Sequence, residues 1–590
     1  YWKNLMNNLK LNIIRKYLKP FKKELLIGAI ALLIVNILSV IIPLEVKNII
    51  DQLQEGFSRN FIISKSLWLI LLATLMGVIR LSSRQIVFGI GRKVEVKLRQ
   101  KLFEHLLIQD PDWVQKMGSG DIIARATSDV ENVRRLLGFT VLSLCNIILA
   151  YSLTIPSMFS INKTLTISSL LIFPIILGIV GSFGGRMVNQ RRLQQEALSK
   201  LSDLIQEDLS GISAIKIYAQ ESSEYDQFNK FNKAYRNAAI KLARTASTLF
   251  PLLQGISSIS LLLLLALGTS QLENGFITIG GLVALILYVE RLVFPTALLG
   301  FTLNTFQLGQ VSLDRIEEIF QSEPKIKNND IYKKSNKSIK GLIEAKDLKI
   351  RYESSKMNAL DGIDLKILPG ELVAIVGPVG CGKTTLAKAL GRTIDIPKDQ
   401  LFIDNIDVKK IDLKYLRKNV AIVPQEAFLF TSTISENLRF GDPKASIDLV
   451  KTSARKAGLS EDIINFPKGY NTLVGERGIT LSGGQRQRTA LGRALLVNAP
   501  VIVLDDALAS VDNKTASKII KEIRDNKNKT ILMISHQLSV AATCDRVLVM
   551  DKGKIIQEGV HKDLIEKDGL YKNLWERELA VKNFEDNLNK

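Results

Sequence analysis

The chain has very few of the residues from which metal centres and disulfide frameworks are built. Its 590 residues include only three cysteines and three histidines. The cysteines Cys145, Cys381 and Cys544 are odd in number and far apart, so the sequence predicts no disulfide framework. The histidines are isolated from one another and match no usual zinc-ligand spacing, so we expect no structural metal. They are His105, His536 and His561.

Acidic residues are also scarce relative to basic residues. The chain carries 79 Lys and Arg against 58 Asp and Glu, which gives a formal net charge of +21. Such a charge would suit a nucleic-acid-binding protein, but no stripe of basic residues interleaved with aromatic residues is present. The sequence therefore predicts no nucleic acid partner.

The first half of the chain contains long apolar runs that the second half lacks. The clearest is residues 25–44, which carry no charge and are about long enough to cross a hydrocarbon core of roughly 30 Å. Several runs of this kind in one chain make soluble core helices a poor explanation. We therefore expect a multi-pass protein in contact with membrane lipid. The predicted spans are six, at residues 25–44, 61–79, 138–161, 164–185, 245–272 and 279–301.

Basic residues near the ends of the spans indicate the orientation of the chain. Seven Lys or Arg lie in residues 1–24 and eleven in residues 80–135, whereas the short loops around Asn162 and Gln271 carry only Lys163. Both termini are therefore predicted to be cytoplasmic. Glu290 and Arg291 are the only charges well inside a span, and an ion pair within the bundle is one explanation for them.

The pattern changes twice more along the chain. Two stretches of roughly 50 to 60 residues between spans are too periodic for loops, so they predict helical hairpins with turns near residues 120–125 and 217–221. After residue 320 the chain turns polar and rich in lysine. The sequence predicts a transmembrane domain over residues 1–320, a linker over 321–340, a soluble α/β domain over 341–580 and a tail over 581–590.

The soluble domain contains a phosphate-binding motif. Residues 371–376 form a buried-strand pattern that runs into Gly-Pro-Val-Gly-Cys-Gly-Lys-Thr at 377–384, which is the P-loop pattern in its strand–loop–helix setting. The glycines let backbone N–H groups approach phosphates, and the following helix points its positive end at them. Lys383 is expected to contact the β- and γ-phosphates of ATP, and the Thr384 hydroxyl to ligate Mg²⁺. The predicted nucleotide-binding residues are Gly377, Gly380, Cys381, Gly382, Lys383, Thr384 and Thr385.

Two further apolar strands end in candidate catalytic residues. Residues 501–504 are followed by Asp505 and Asp506, and residues 531–535 are followed by His536. Asp505 is predicted to hold Mg²⁺ through water, because a strand end gives its carboxylate a fixed direction.

The run Leu-Ser-Gly-Gly-Gln-Arg at residues 481–486 lies between these motifs. It resembles the signature of ATP-binding cassette (ABC) ATPases. Over essentially its whole length, the chain resembles a bacterial ABC exporter half-transporter of the multidrug-resistance-like type. In that family the signature completes an ATP site on the opposite cassette. The resemblance therefore implies a second half-transporter as partner, whose nucleotide would meet Ser482, Gly483, Gly484 and Gln485.

The family resemblance carries expectations for fold and function. It implies an all-α membrane domain of six helices followed by an α/β P-loop ATP-binding cassette. It also implies ATP-driven export of a hydrophobic or amphipathic substrate, such as a drug, lipid or peptide, with ATP and Mg²⁺ as cofactors. The expected location is the bacterial inner membrane, with the cassette in the cytoplasm. The turns at 120–125 and 217–221 resemble the family's coupling helices, with exposed turns between helices as the alternative.

Three more residues take their expected roles from the resemblance. Tyr352 resembles the aromatic residue that stacks on adenine, although an ordinary strand tyrosine is the alternative. Gln425 matches the Q-loop, whose side chain reaches toward Mg²⁺ and the attacking water, and His536 matches the switch histidine at the γ-phosphate. Residues 474–478 resemble a segment of exporter cassettes, and residues 509–512 resemble the loop that links the two sites across the dimer.

Asp506 departs from the family pattern, in which a glutamate orients or deprotonates the attacking water. Aspartate is shorter by one methylene, about 1.3 to 1.5 Å, and a displacement of this size can lower a rate about 100-fold. The departure resembles the degenerate subunit of heterodimeric exporters, whose own site hydrolyses ATP slowly. A homodimer that tolerates the aspartate is one alternative, and a regulatory ATP-binding subunit that gates a competent partner is another.

Overall fold

The structure, a computed structural model, describes residues 11–56, 58–328, 339–353, 355–511, 513–524 and 529–588. The chain divides into two units. The first contains the residues up to Leu107 together with Met117–Ser322, and the second contains Ile108–Lys116 together with the residues from Glu323 onward. Most of the predicted linker, residues 329–338, and Asp512 of the predicted loop 509–512 lie outside the described residues.

The described part of the chain before residue 322 consists of helices and the short segments that connect them. Its helices are α1 (Leu11–Leu18), α2 (Lys22–Glu55), α3 (Arg59–Ile108), α4 (Pro111–Met117), α5 (Ser119–Ile161), α6 (Lys163–Ser210), α7 (Ile212–Ile217), α8 (Glu221–Glu273) and α9 (Ile279–Gln321). The six long helices α2, α3, α5, α6, α8 and α9 are each apolar and long enough to cross a membrane, which confirms the predicted fold of the membrane half. Helix α3 has 50 residues and α8 has 53, or about 75 to 80 Å at 1.5 Å per residue, so both extend well beyond a hydrocarbon core.

The membrane helices place large apolar side chains outside and small polar ones inside. Leu67 and Leu262 are 60% and 63% exposed, whereas Thr154 and Ser169 are fully buried. A hydrocarbon environment tolerates such apolar exposure, and small residues let transmembrane helices approach closely. The distribution therefore agrees with helices that pack against one another and face lipid.

The turn of the first hairpin lies a few residues before its predicted position. The short helix of the first hairpin is α4, Pro111–Met117, and the predicted turn at 120–125 instead lies in the first turns of α5. The carboxylate of Asp110 accepts hydrogen bonds from the backbone N–H groups of Lys325 (2.7 Å) and Ile326 (3.2 Å), which lie with it in the second unit. In the second hairpin, α7 (Ile212–Ile217) forms the turn, and the predicted segment 217–221 begins at its end.

The described part of the second unit contains two β-sheets. The smaller is antiparallel, with strand order β2-β1-β4-β5, and the larger has the order β10-β9-β3-β8-β7-β6. In the larger sheet, β9, β3, β8, β7 and β6 are parallel, and only β10 is antiparallel to its neighbour. The strands are β1 (Ile343–Ile350), β2 (Leu360–Ile367), β3 (Leu372–Val376), β4 (Leu401–Ile403), β5 (Ile406–Asp407), β6 (Val420–Val423), β7 (Val501–Asp505), β8 (Thr530–Ile534), β9 (Arg546–Asp551) and β10 (Lys554–Gly559).

Two apolar cores cover the two faces of the larger sheet. Val373 and Ile375 of β3 belong to one core, whereas Leu372 and Ala374 belong to the other, because successive residues of a strand point to opposite faces. Burial on both faces explains why these strands read as continuous apolar runs in the sequence. The architecture is the α/β cassette that the sequence predicts.

The helices of the second unit surround this sheet, and the last of them extends into the segment that is predicted to be a tail. The last helix runs to Leu588, so most of the predicted tail at 581–590 is helical. The helices are α10 (Lys383–Leu390), α11 (Leu413–Asn419), α12 (Ile434–Arg439), α13 (Ile447–Lys456), α14 (Ser460–Ile464), α15 (Gly483–Leu496), α16 (Asn513–Arg524), α17 (Leu538–Ala541), α18 (His561–Glu566) and α19 (Leu570–Leu588).

A cluster of ion pairs joins the beginning of α5 to the end of α9 within the first unit. Asp129 is 5% exposed, accepts a hydrogen bond from the Ser312 hydroxyl at 2.7 Å and pairs with Arg315 at 2.9 Å. Arg125 pairs with Glu318 at 2.7 Å. Both Arg125 and Asp129 lie on a turn of α5 that has widened to π-helical geometry, which is a frequent feature of functional regions.

We predict that Asp129→Asn destabilises the membrane unit. The variant removes the charge that Arg315 and Ser312 contact, and hydrogen bonds to charged groups contribute about 1.5 to 3 kcal/mol. The apparent Tm of the detergent-solubilised protein should fall by several degrees. Glu131→Gln is the matched control, since Glu131 pairs with Arg134 and Arg135 on the surface and should change Tm little. Equal Tm values for both variants would contradict a stabilising role of the cluster.

Candidate functional site

Four of the five parallel strands are followed by predicted site residues at one edge of the six-stranded sheet. The strands β3, β8, β7 and β6 are neighbours, and Ile534 of β8 pairs in register with Ile375 of β3 and with Asp505 of β7. The carboxyl ends of neighbouring parallel strands meet at a common edge, where ligands of open α/β sheets bind. The segments that follow the strands are, in order across the sheet, the P-loop, His536, Asp506 and Gln425.

The loop after β3 needs glycine at two positions. Gly377 has a φ of +151°, and a Cβ there would lie 2.1 Å from the carbonyl oxygen of Met550. Gly382 has a φ of +106°, and a Cβ there would lie 2.4 Å from the carbonyl oxygen of Ala359. Neither contact could be relieved by a side-chain movement, because both are made to backbone atoms. The glycines thus permit a tight loop that leads into the N-terminus of α10, an arrangement that suits phosphate groups.

The ammonium group of Lys383 lies inside this loop. Its Nζ donates to the carbonyl oxygens of Gly377 and Pro378, both at 2.8 Å, and the residue is only 6% exposed. The Sγ of Cys381 lies 3.6 Å from the same Nζ. The loop therefore holds a buried cation next to a helix N-terminus, and both features attract an anion.

Two contacts join the residues after Lys383 to other predicted site residues. The Thr384 hydroxyl donates to the carboxylate of Asp505 at 3.2 Å. The hydroxyl oxygens of Tyr352 and Thr385 are 3.3 Å apart, and the half-buried Tyr352 ring packs against the core between the two sheets. The structure thus places Tyr352 and Asp505 beside the P-loop, while their roles toward a nucleotide stay predictions.

Two neighbouring carboxylates are buried where β7 ends. Asp505 is 4% exposed and Asp506 is 9% exposed. Burial raises the pKa of Asp505 and the charge of Asp506 raises it further, whereas the hydrogen bond from Thr384 lowers it. A hard divalent cation prefers oxygen ligands and would offset the repulsion between two carboxylates. The donor set of Thr384 and Asp505 therefore fits the predicted Mg²⁺ site.

The backbone of Asp506 extends the sheet by one residue. Its N–H donates to the carbonyl oxygen of Ile534 at 2.9 Å, although Asp506 itself lies outside β7. Its φ of +51° is in the left-handed region, which aspartate tolerates better than most residues. The chain therefore turns sharply at this residue, which fixes the position of its side chain beside Asp505.

Gln425 and His536 are both exposed at the ends of their strands. Gln425 follows β6 after one residue, and His536 follows β8 after one residue. The backbone before His536 is held in place, because Ser535 N–H donates to the Ile375 carbonyl at 3.2 Å and the Ser535 hydroxyl accepts from Gln537 N–H at 3.0 Å. Both side chains are thus accessible at the same sheet edge as the P-loop.

The segment after His536 is fixed by a residue that the sequence did not indicate. The carboxylate of Glu578 in α19 accepts hydrogen bonds from the backbone N–H groups of Leu538 (2.7 Å) and Ser539 (3.1 Å), at the start of α17. A carboxylate at a helix N-terminus satisfies free N–H groups and complements the helix dipole. No local pattern could reveal this contact, because its partners are about 40 residues apart.

The signature lies at the start of α15. Ser482 is the N-cap residue, and its hydroxyl accepts from the Gln485 N–H while the Gln485 side chain accepts from the Ser482 N–H, which forms a capping box. Asp462 holds Gln485 at 3.0 Å. Ser482 is exposed, so the hydroxyl and the helix N-terminus face outward and can meet an external anion.

Gln487 connects the signature helix to the segment that carries Asp506. Its side chain accepts from the backbone N–H of Ser510 at 3.0 Å and donates to the backbone oxygen of Asp506 at 3.5 Å. Gly484 lies so close to this segment that a Cβ would be 2.7 Å from the Ser510 carbonyl oxygen. The sequence did not single out Gln487, since a helical glutamine two residues after a motif carries no signal of its own.

We predict that Glu578→Ala loosens the segment that carries His536. Loss of a helix N-cap costs about 1 kcal/mol. Amide hydrogen exchange of Leu538 and Ser539 should therefore accelerate by about fivefold. Glu576→Ala is the matched control on the same helix, because Glu576 is exposed. Unchanged exchange in Glu578→Ala would contradict the capping role.

Comparisons with known proteins agree with this arrangement. The protein-family model described as the ABC transporter transmembrane region matches residues 25–296, and the family model described as ABC transporter matches residues 360–509. The chain is 34% identical over 569 residues to the multidrug resistance-like ATP-binding protein MdlA of Buchnera aphidicola subsp. Baizongia pistaciae, covering 95% of this chain and 96% of the relative. Its counterpart in Buchnera aphidicola subsp. Schizaphis graminum is 32% identical over 567 residues, with the same coverage of 95% and 96%.

A solved structure has the same fold. A bacterial Atm1-family ABC exporter with ATP bound has a TM-score of 0.77 to this chain at 23% identity, and the match covers 94% of this chain and 98% of that chain. The six apolar helices and the α/β nucleotide-binding domain thus agree in order and type with a known exporter. The chain belongs to the ABC transporter family, as an exporter half-transporter that combines one membrane domain with one ATP-binding domain.

Proposed function

We propose that this chain is one half of an ATP-driven exporter that moves a hydrophobic or amphipathic molecule across a bacterial inner membrane. Both termini and the cassette would be cytoplasmic. The observation that carries the proposal is that one chain holds two unlike halves of an ATP site. The P-loop and Asp505 contact each other through Thr384, whereas the exposed Ser482 forms no hydrogen bond with them among the described residues.

The half-site at the sheet edge supports a division of roles around ATP. Lys383 and the loop N–H groups would neutralise the phosphates, and Tyr352 would stack on adenine. Thr384, Asp505 and Gln425 would hold Mg²⁺, which neutralises phosphate charge when it is bound. His536 would contact the γ-phosphate, and Asp506 would orient the attacking water. The signature residues Ser482, Gly483, Gly484 and Gln485 would serve the nucleotide on the partner's P-loop.

The shorter carboxylate of Asp506 supports a heterodimer with a slow site on this chain. A glutamate partner site would then perform most of the hydrolysis, and this chain's complete signature would assist it. A homodimer in which Asp506 still acts as the base is the alternative arrangement. A regulatory subunit that binds ATP and gates a competent partner is the alternative function, and the same residue favours it.

Export itself is tested with the transporter in inside-out membrane vesicles. ATP should drive accumulation of an amphipathic fluorescent probe in the vesicles, and Ser482→Arg should stop it. If vesicles that contain the assembled, ATP-hydrolysing complex accumulate no amphipathic probe of any charge, the proposed export function fails. ATP hydrolysis by the partner alone with no turnover at this chain would favour the regulatory alternative.

The Asp506 site should gain activity on substitution by glutamate. We expect Asp506→Glu to raise single-turnover hydrolysis at this site by up to about 100-fold, because the longer side chain restores the reach of the base. The measurement uses the assembled complex with the partner's own site disabled. Asp506→Asn is the control and should give no gain. If the glutamate variant is no faster, retraction of the base is not the limiting defect.

The two half-sites should respond differently to substitution. Ser482→Arg places a bulky cation at the signature and should nearly abolish ATPase activity at the partner's competent site. Lys383→Ala should weaken ATP binding at this chain's slow site and leave some partner-site hydrolysis. Ser446→Arg is the matched control, because Ser446 is also an exposed N-cap serine but belongs to α13.

The comparison is made on ATPase activity of the reconstituted complex. Should Lys383→Ala prove fully inactive while Ser482→Arg stays near wild type, the assignment is reversed. This chain's own P-loop would then serve the main catalytic site.

A further inference from the structure

A cavity of about 430 Å³ lies among helices α2, α3, α5 and α9 of the membrane unit. Its size falls in the range of small-molecule sites. Much of its lining is apolar and includes Phe88, Phe139 and Phe294. Its charged lining residues are all cationic, and no Asp or Glu is among the described residues that line it. They are Arg80, Arg84 and Arg291.

Arg291 is not paired with its neighbour in sequence. The interpretation of Glu290 and Arg291 as an ion pair is wrong, because Glu290 lines a different cavity of about 360 Å³ between α8 and α9. The Nη2 of Arg291 instead donates to the side-chain oxygen of Asn36 at 3.0 Å. Among the described residues, none of the three arginines has a carboxylate within ion-pair distance.

One edge of the Arg291 guanidinium is held and the other is free. Asn36 in α2 is itself oriented, because its amide donates to the Leu32 carbonyl at 2.9 Å and to the Asn146 side chain at 3.1 Å. The Nη1 of Arg291 is buried and has no hydrogen-bond partner among the residues that the structure describes. Leaving a charged donor buried and unpaired costs several kcal/mol, so an acceptor at this position would be strongly favoured.

The free guanidinium lies deep in the membrane region. Asn36 is about 16 Å along its helix from the start of the charge-free run at Leu25, and Arg291 is about 18 Å from the first residue of α9, at 1.5 Å per residue. Both lengths are close to half the thickness of a hydrocarbon core. Charged residues at this depth are costly and characteristically mark substrate pathways.

We propose that this cavity binds amphipathic molecules with an anionic head group, such as a phosphate, sulfonate or carboxylate. The proposal rests on the proposed export function and assigns its substrate class. The unpaired Nη1 of Arg291 offers a charged donor to an anion, and Arg80 and Arg84 supply further positive charge. The aromatic and aliphatic lining accommodates the apolar part of the molecule. The Glu290 cavity lacks these cations and does not fit an anion.

The first experiment compares two probes that share a dodecyl chain and carry head groups of opposite charge. Equilibrium binding of dodecyl phosphate and of dodecyltrimethylammonium is measured with the full-length transporter in phosphatidylcholine nanodiscs. We expect the phosphate to bind at least about tenfold more tightly, the lower end of what a charged hydrogen bond contributes. Equal binding, or tighter binding of the ammonium probe, overturns the proposal.

Substitutions then assign the binding to the cavity. Arg291→Gln should weaken binding of dodecyl phosphate about tenfold or more, and Arg291→Lys should restore part of the affinity, since it keeps the charge but not the guanidinium geometry. Arg84→Gln is a second variant. Because Arg84 is exposed, we expect the variant to fold normally, so that a loss of binding reflects the lost charge. Glu290→Gln is the matched control and should leave binding of the phosphate unchanged. Unchanged affinity in both arginine variants, with normal thermal stability, overturns the proposal.

Two further measurements identify the source of the anion and distinguish a failure of the proposed substrate class from a failure of the export function. Added phosphatidic acid that competes with dodecyl phosphate identifies a lipid head group as the ligand, and failure to compete identifies a soluble amphiphile; both support an anionic site. If vesicles export a cationic amphiphile and Arg291→Gln has no effect, export stands and the substrate class fails. If no amphiphile of either charge is exported, the export function fails, while the binding result still decides the anionic site.

Discussion

The register of strands β3, β8 and β7 determines where the chemistry of the cassette can take place. Backbone hydrogen bonds continue beyond the ends of the strands, from Ser535 to Ile375 and from Asp506 to Ile534. These bonds align the residues that follow each strand without any need for contacts between their side chains. A slip of one residue would turn the side chains of a strand to the opposite face and misplace Asp505 relative to Thr384. The continuous burial of the three strands makes such a slip costly.

Hydrogen bonds and close backbone contacts connect the half-site of the cassette to its signature. Gln487 extends from the signature helix to Ser510 and to the backbone of Asp506, so a movement of the carboxylate segment would also displace Gly484 and its neighbours. Glu578 fixes the segment after His536 from the C-terminal helix. A change of geometry on hydrolysis at one half-site therefore has a short physical path to the surface that would serve a partner's nucleotide.

A structure can be predicted from the sequence where a short segment contains all the residues that determine it. The P-loop is predictable because its backbone requires glycine at fixed positions, where φ is positive and other backbone atoms lie close. The membrane helices are predictable from their uninterrupted apolar runs. The periodic stretches between spans likewise predict helices that continue into water, and the structure contains them. The position of a turn is less well determined by periodicity, and the first turn contains α4, Pro111–Met117, a few residues before 120–125. Contacts such as Glu578 with Leu538 join distant segments and leave no local pattern.

The failed pairing of Glu290 and Arg291 follows from helix geometry. Adjacent residues on an α-helix are about 100° apart around its axis, so their side chains cannot face each other. The two charges therefore point in different directions from α9, and they line different cavities. Pro295 adds to this, because it has no N–H to donate to the carbonyl of Arg291 and so weakens the helix beside the cavity. Helix α9 thus carries opposite charges on two faces, and the sign of the charge that a substrate meets depends on which face it contacts.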